Sequence, residues 1–579
     1  MSGFCGFTGI EPDQAQTLIN TMVGAIAHRT MGKENTYIGE GIAIGGTQPP
    51  PPKCEEEMPF LKIFSDGNIY NLADLYKNYG TNMPEHIDQA FTFAIYDGDK
   101  LFCARDSFGV KPFYYTVLEG QLVFGSEIKA ITQHPQFTAT VNREALAQYL
   151  TFQYSVLNHT FFEGVYKLPP GHSLLWENNC LHIEKWHDGH TFQPQRIDED
   201  KAIEAIDKAV CQSVASLTDE ETGAFLSGGV DSSYLAATFP GKKTFTVGFD
   251  YQNYNEIHHA KSLSDHLGLH HITRLVTTQE YWDALPKIQY HLDEPMGDPA
   301  AVAFYFACEE AAKHVSVAIS GEGADEFFGG YNIYKEPLSL ARYTWLPRWL
   351  RKFLAQVAQK LPPKVKGRNF LIRGATPVEE RFMGNAYIFT KAERDRILKA
   401  PSQTSPLDVT QPHYQQAKAH DDVTKMQHLD LQLWLPDDIL LQGNKLSMAH
   451  GLEVRMPFMD INVFNAAATL PTPLRVTRKS TKVAFRAAAA RHLPKETATR
   501  YKLGFPVPIR IWLREEKYYH IVKSYFASET AETYFVTGEI LALLEDHFTG
   551  RQDNSRKIWT IYMFLLWCEA FITERTNHI

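Results

Sequence analysis

Residues 225–233, FLSGGVDSS, constrain the fold of this chain more than any other stretch. Phe225 and Leu226 end an apolar run, Ser227, Gly228 and Gly229 turn it, and Asp231, Ser232 and Ser233 open a segment of helical character. Strand, tight turn and helix in that order leave free N–H groups at the helix start, where an anion is favoured, and glycine lets the backbone approach a phosphate with no Cβ between them. The loop is not the common ATP loop, because no Gly-Lys-Ser/Thr follows at the required spacing. The chain around it alternates: strand-like KTFTVGF at 243–249, a helix through 255–268, a strand at 271–275, a helix through 300–313 and strand-like VSVAIS at 315–320. Alternation of this kind implies a parallel sheet covered by helices, with ligands at the carboxyl ends of the strands. Both SGGVDSS and SGEGADE, at 320–326, directly follow strands.

Upstream, residues 1–185 carry short strand-like runs at 42–45, 60–64, 91–97, 100–106, 113–118 and 121–126, with a helix at 13–28. This is an α+β pattern of packed sheets with outer helices. The prolines in QPPPPKC at 48–54 make that run a surface connection. The polar stretch 187–198 is expected to link to a helix at about 199–217. From roughly 335 onward the reading is largely helical, with apolar residues recurring at three and four in 445–455 and 481–493.

Composition narrows the function classes. A length of 579 residues suggests two to four domains, and a net charge of −10 argues against nucleic acid as a partner. The start MSGFCGFTGI carries no basic region and long apolar core, so no secretory signal is expected and the cytoplasm is the expected location. The seven cysteines are scattered without CxxC spacing, which argues against disulfides and structural zinc. The apolar run 558–567 is too short to span a bilayer, so no membrane partner is expected; with Asp553, Asn554 and Ser555 as caps it reads as a buried helix. Histidines 258, 259, 266, 270 and 271 suggest a metal cluster on paper, but they fall mostly on different helix faces.

SGGVDSS resembles the pyrophosphate loop of ATP pyrophosphatases that adenylate a substrate carboxylate. NEIHHAKSLSDHLGLHH at 255–271, DEPMGDPAA at 293–301, SGEGADEFFGGY at 320–331 and NKLSMAHGLEVRMPFMD at 444–460 extend the resemblance to glutamine-hydrolysing asparagine synthetases over nearly the whole chain. It implies an α+β, sandwich-like N-terminal amidotransferase domain at 1–186. An α/β ATP pyrophosphatase domain with a largely helical C-terminal part follows at 199–579. It also implies ATP and Mg²⁺ as cofactors, a carboxylate (aspartate or a relative) and ammonia as small-molecule substrates, glutamine as a further candidate, and room for a homodimer.

By this resemblance Asp231 and Asp325 hold Mg²⁺ on the phosphates, as hard oxygen donors suit that ion. Their loop-end placement is expected to leave them exposed. Ser227, Gly228, Gly229, Ser232 and Ser233 are matched to the pyrophosphate, and Val247, Gly248, Ser320 and Gly321 to adenosine. Glu322 is matched to the acid near the adenylate, where it takes a proton from the attacking amine. Lys482 is matched to the lysine supporting the adenylation transition state, with Lys479 as the alternative. A competing reading makes Asp325 and Glu326 simple helix caps.

The first hundred residues depart from the family. In the ungapped register Ser2 stands at the family's nucleophilic cysteine and Cys5 is a core residue; a three-residue shift makes Cys5 the nucleophile, at the cost of cleaving four residues. The segment that clamps glutamine's carboxylate is missing between Gly45 and Gln48, and an amine-binding acid is missing between Asn71 and Phe91. HRGPD has become His28-Arg29-Thr30-Met31-Gly32, and Asp66 replaces an amide that donates to the oxyanion, a donor typically worth about 3 kcal/mol. A structural domain with little glutaminase activity is expected, with ARDSFGVKPFYY at 104–115 and GSEIKA at 125–130 as its face toward the synthetase half. The resemblance leaves open amidation of a peptidoglycan-precursor carboxylate such as diaminopimelate, and a catalytically silent partner or regulator.

Overall fold

The computed structural model describes residues 3–29, 32, 34–47, 61–67, 69, 71–251, 257–362, 365–500 and 507–573. Ser2 and the proline run at 48–54 lie outside them.

Two antiparallel sheets make the N-terminal half. One runs in the order Glu34–Gly39, Ile42–Thr47, Gly3–Thr8, Gln121–Gly125, Tyr114–Leu118, Tyr166–Lys167; the other runs Cys180–Lys185, His172–Glu177, Leu101–Arg105, Thr92–Tyr96, Lys62–Asp66. Phe4, Ile44, Phe64, Cys103, Phe113 and Phe124 pack between them as one apolar cluster. The strand-like runs of the sequence all form strands, and the first helix is Pro12–Ala25 with a 3₁₀ turn at Ala27–Arg29. The strand Gly3–Thr8 gave no sequence signal, because all six of its residues are buried and a strand covered on both faces has no alternation to read.

The C-terminal half is built on five parallel strands in the order His270–Val276, Lys243–Phe249, Gly223–Phe225, Val317–Ile319, Glu453–Arg455. Strand order reverses beside Gly223–Phe225, so the loops leaving that strand and Val317–Ile319 flank the crevice where open α/β sheets bind ligands. The fifth strand corrects the helical reading of 445–455. The helix stops at Met448, Gly451 takes the left-handed conformation (φ +62°), and Glu453–Arg455 extends to pair with Val317–Ile319.

The two halves share a core. Residues 128–165, between the strands Gln121–Gly125 and Tyr166–Lys167, pack into the C-terminal helical layer: the Tyr149 hydroxyl donates to the Thr560 carbonyl at 2.9 Å, and Phe161 meets Trp567 edge-on at 5.4 Å. The helix Ser555–Cys568 is buried nearly throughout. Its cap differs from expectation: Asn554 sits at the N-cap but donates to Leu543, while Asp553 accepts from the Ser555 N–H. No helix among the described residues is long and apolar enough to cross a membrane.

A buried ionic network joins the halves. Arg29 pairs with Asp66 and with Glu127, both at 2.7 Å, and donates to Asn444 at 3.1 Å. Lys111 reaches the other Asp66 oxygen at 3.1 Å; Lys129 bridges Glu127 and Asp293, and Lys445 also pairs with Asp293. Phe108 adds an apolar contact against Phe327 and Phe464. The surfaces 104–115 and 125–130 thus face the C-terminal half.

Burial opposes ionisation of Asp66, but Lys111 and Arg29 outweigh it and hold the carboxyl below its usual range. A depressed carboxyl contributes stability above its unfolded pKa, near 4, and loses it as pH falls through the folded value. Asp66→Ala, which leaves Arg29 and Lys111 short of a partner, is expected to cost about 3–5 kcal/mol at pH 7. Urea unfolding at pH 7 and pH 3 checks this: the difference from wild type should shrink at the lower pH.

Candidate active site

The loop after Gly223–Phe225 is shaped by its own serines. The Ser232 hydroxyl accepts from the Ser227 N–H at 3.1 Å, lies 3.1 Å from the Ser227 hydroxyl and donates to the Gly229 carbonyl at 3.3 Å. Gly228 takes φ +76°, and Gly229 caps the helix Val230–Thr238. The turn is therefore set before any ligand arrives.

Across the crevice, the strand Val317–Ile319 leads into Ser320, whose hydroxyl donates to a Glu322 oxygen at 3.1 Å. Gly323, at φ +90°, then starts the helix Ala324–Phe328 carrying Asp325 and Glu326. From a third direction comes Lys482, whose ammonium lies 2.5 Å from Asp231 and 2.7 Å from Asp325. Lys482 is buried and takes a left-handed backbone (φ +55°) at the start of the helix Val483–Ala489. That conformation costs energy in a non-glycine residue and is concentrated at functional sites. Lys479 is exposed, whereas Lys482 is the lysine that reaches both acids.

The two acids, Glu322 and the serines Ser227, Ser232 and Ser320 border a cavity of about 320 Å³. Ser227, Asp231, Ser232, Val247, Ser320, Gly321, Glu322 and Asp325 line it; Gly228, Gly229, Ser233, Gly248 and Lys482 do not. Gly248 is buried within its strand behind Val247, and the Ser233 hydroxyl is buried without a hydrogen-bond partner. Asp231 is buried against Lys482, which corrects the expectation that both acids stand exposed at loop ends. Asp325 does open a short helix, but its carboxylate is directed at Lys482.

Several lining residues had no role in the sequence reading. Asp298, Trp434 and Gln442 line the cavity, as do Glu326 and Tyr331. Burial first, then the neighbouring Asp325, push the Glu326 carboxyl up to about 8, and the Tyr331 hydroxyl holds it at 2.5 Å. Trp434 in turn donates to the Tyr331 hydroxyl at 3.0 Å. Asp298 and Glu326 sat inside the motifs DEPMGDPAA and SGEGADE, so the signal was present. Trp434 lies about a hundred residues away in sequence, and nothing local marks it.

The close approach of Asp325 and Lys482 depends on Gly330, where a Cβ would overlap Asp325 Oδ1 and Lys482 Cε. Gly330→Ala is expected to displace both groups and, by pulling the buried ammonium away from its carboxylates, to cost about 3 kcal/mol of stability. Urea unfolding of the variant beside wild type checks this.

Among the described residues the histidines at 258, 259, 266, 270 and 271 belong to no group of three or more converging ligand atoms. Among the described residues only Asp207, Cys211 and His492 bring three such ligand atoms within 4.8 Å of one another.

Comparison with known proteins places this site in a lineage. Residues 203–569 match the asparagine synthase family. The chain belongs to that family. Residues 56–187 match a glutamine amidotransferase domain. Asparagine synthetase [glutamine-hydrolyzing] 1 of Bacillus subtilis (strain 168) is 36% identical over 621 aligned positions, covering 99% of this chain and 97% of that protein. Asparagine synthetase [glutamine-hydrolyzing] 3 of the same organism is 25% identical, covering 80% of this chain and 78% of that protein. Membership makes the chain an asparagine-synthetase-type ligase at the level of the family, with the ATP use typical of it.

Proposed function

We propose that the protein joins ammonia to a carboxylate, aspartate in the first instance, through an acyl-adenylate, giving asparagine, AMP and pyrophosphate. The observation that carries this reading is the convergence of Asp231 and Asp325 on Lys482 at the edge of a cavity bounded by a serine-glycine loop. Two carboxylates aimed at one cation supply the hard oxygen donors that Mg²⁺ needs, and Mg²⁺ would neutralise the polyphosphate there. The residues fit that ion.

In the proposed reaction a substrate carboxylate oxygen attacks the α-phosphorus of ATP, and the bond from that phosphorus to the bridging oxygen breaks to release pyrophosphate. The Ser227–Gly229 turn and the hydroxyls of Ser227 and Ser232 hold the departing phosphates. Lys482 places a fixed positive charge between the two carboxylates, where negative charge gathers in the transition state. Ammonia then attacks the acyl carbon, the bond to AMP breaks, and Glu322, steadied by the Ser320 hydroxyl, takes the surplus proton.

Glutamine is a poor ammonia source in this reading. Cys5 lies in the central strand Gly3–Thr8, fully buried, and burial pushes its thiol far above the usual range. Asp66 is tied to Arg29 and Lys111, leaving no donor for an oxyanion at that position. Aspartate labelled with ¹⁸O in its side-chain carboxylate tests the chemistry. One labelled oxygen in AMP supports the adenylate route, and label in orthophosphate rejects it.

A further inference from the structure

Between Glu336 and Glu379 the sequence holds nine lysines and arginines and no acidic residue, in a chain whose net charge is −10. This stretch forms a helical hairpin, Arg348–Gln359 packed against Arg368–Ala375. The first helix buries Ala355 and Ala358 against its neighbour, while its opposite face presents Trp349, Phe353 and Val357 at every fourth residue. Trp345, just ahead of it, is 88% exposed, Trp349 71% and Phe353 57%. Of the fourteen large apolar side chains exposed among the described residues, seven fall between Trp345 and Phe370. Single exposed apolar residues need no explanation; a contiguous set of this size marks an interaction surface.

Charge decides what covers it. Arg351 donates to the carbonyls of Leu346 and Gly374, Arg368 to that of Leu361, and Arg373 pairs with Glu336, so these three hold the hairpin together. Arg342, Arg348, Lys352, Lys360 and Lys366 remain at the surface with no carboxylate within ion-pair distance among the described residues. Apolar and aromatic residues on one helical face with cations along its flanks are the pattern of a helix lying in the plane of an anionic bilayer. There tryptophan sits at the headgroup level and long cationic side chains reach the phosphates. Side chains this exposed project outward instead of lining a groove, which suits a yielding lipid surface better than a folded partner. The helix is too short to span the bilayer, so it would rest on the surface.

We propose that this hairpin docks the protein on anionic phospholipid membranes. The expectation of no membrane partner rested on the absence of a spanning segment, and surface docking needs none. The hairpin follows directly on the turn Asn332–Lys335 and the helix Glu336–Thr344, just after Tyr331 of the cavity wall.

Co-sedimentation of the full chain with vesicles of phosphatidylcholine alone, and with 3:7 phosphatidylglycerol:phosphatidylcholine, tests this, with sedimentation velocity run on the same samples without lipid. Binding is expected only to the anionic vesicles. Arg348→Gln with Lys352→Gln should weaken it about 25-fold, at roughly five-fold per cation near the surface, and Trp349→Ser with Phe353→Ser should reduce it to background. Both double variants should keep ammonium-dependent activity. No sedimentation with either vesicle, equal binding to both, or self-association that the Trp349→Ser, Phe353→Ser variant abolishes in place of vesicle binding would each overturn the proposal.

Discussion

Asp231→Asn and Asp325→Asn are each expected to lower carboxylate-dependent AMP formation by about 10³-fold or more, while the folded structure persists. The two carboxylates come from separate loops at the point where strand order reverses, and they meet at one ammonium. Either substitution removes one of the two carboxylates proposed to hold the metal and unbalances the charge around Lys482. The fold survives the single change because the other carboxylate still pairs with the buried lysine. The double variant leaves Lys482 without either partner and should unfold at markedly lower urea, since an uncompensated buried charge costs several kcal/mol. AMP release from Mg-ATP with saturating acceptor measures the first effect and urea titration the second. Near-normal turnover in both single variants would show that the metal is held elsewhere.

The second large effect concerns nitrogen. Ammonium salts are expected to support amide formation, while glutamine supports it at least about 10²-fold less well. Hydrolysing glutamine takes a nucleophile, a carboxylate clamp, an amine-binding acid and oxyanion donors, and by the resemblance each is expected to be altered here. Serine at position 2 is almost entirely protonated near neutral pH and would need a well-placed base. Between Asn71 and Phe91, where the resemblance expects an amine-binding acid, the chain forms the helix Leu72–Tyr79 and a 3₁₀ segment, Gly80–His86. The carboxylate of Asp66 is consumed by Arg29 and Lys111 in the network that fastens the two halves. Glutamate release, with mass spectrometry of the mature N-terminus, checks this. Brisk hydrolysis by a chain beginning at Cys5 would overturn the ungapped register, and by one beginning at Ser2 would overturn the chemistry.

Much of the site could be read from sequence because its groups lie within two short loops, each just after a strand. Ser227, Asp231, Glu322 and Asp325 sit where an alternating parallel sheet places ligand contacts. Lys482 came from a motif alone. Its left-handed backbone and its aim at both acids have no local signature, since they depend on Gly330 yielding space some 150 residues earlier. The strands Gly3–Thr8 and Glu453–Arg455 were hidden for opposite reasons. The first is buried on both faces and has no period; the second is only three residues long and follows a true helix. The ionic network was invisible because Arg29, Asp66, Glu127, Asp293 and Lys445 are spread over more than four hundred residues. Asp66 illustrates the consequence: sequence marks it as a charge that repels an oxyanion, whereas in the fold it is neutralised and has become a structural anchor.

ATP–pyrophosphate exchange reports whether the site activates a carboxylate by transferring AMP to it. The assay uses labelled pyrophosphate, Mg-ATP and no ammonia, run with aspartate, with a diaminopimelate-containing peptidoglycan precursor, and with no acceptor. Exchange that appears only on adding a carboxylate, with aspartate the expected one, and that is lost in Asp231→Asn is the predicted result. Exchange with the precursor in place of aspartate would keep the chemistry and move the acceptor. No exchange with any carboxylate, from a folded protein that binds Mg-ATP, would contradict the account and leave a catalytically silent chain.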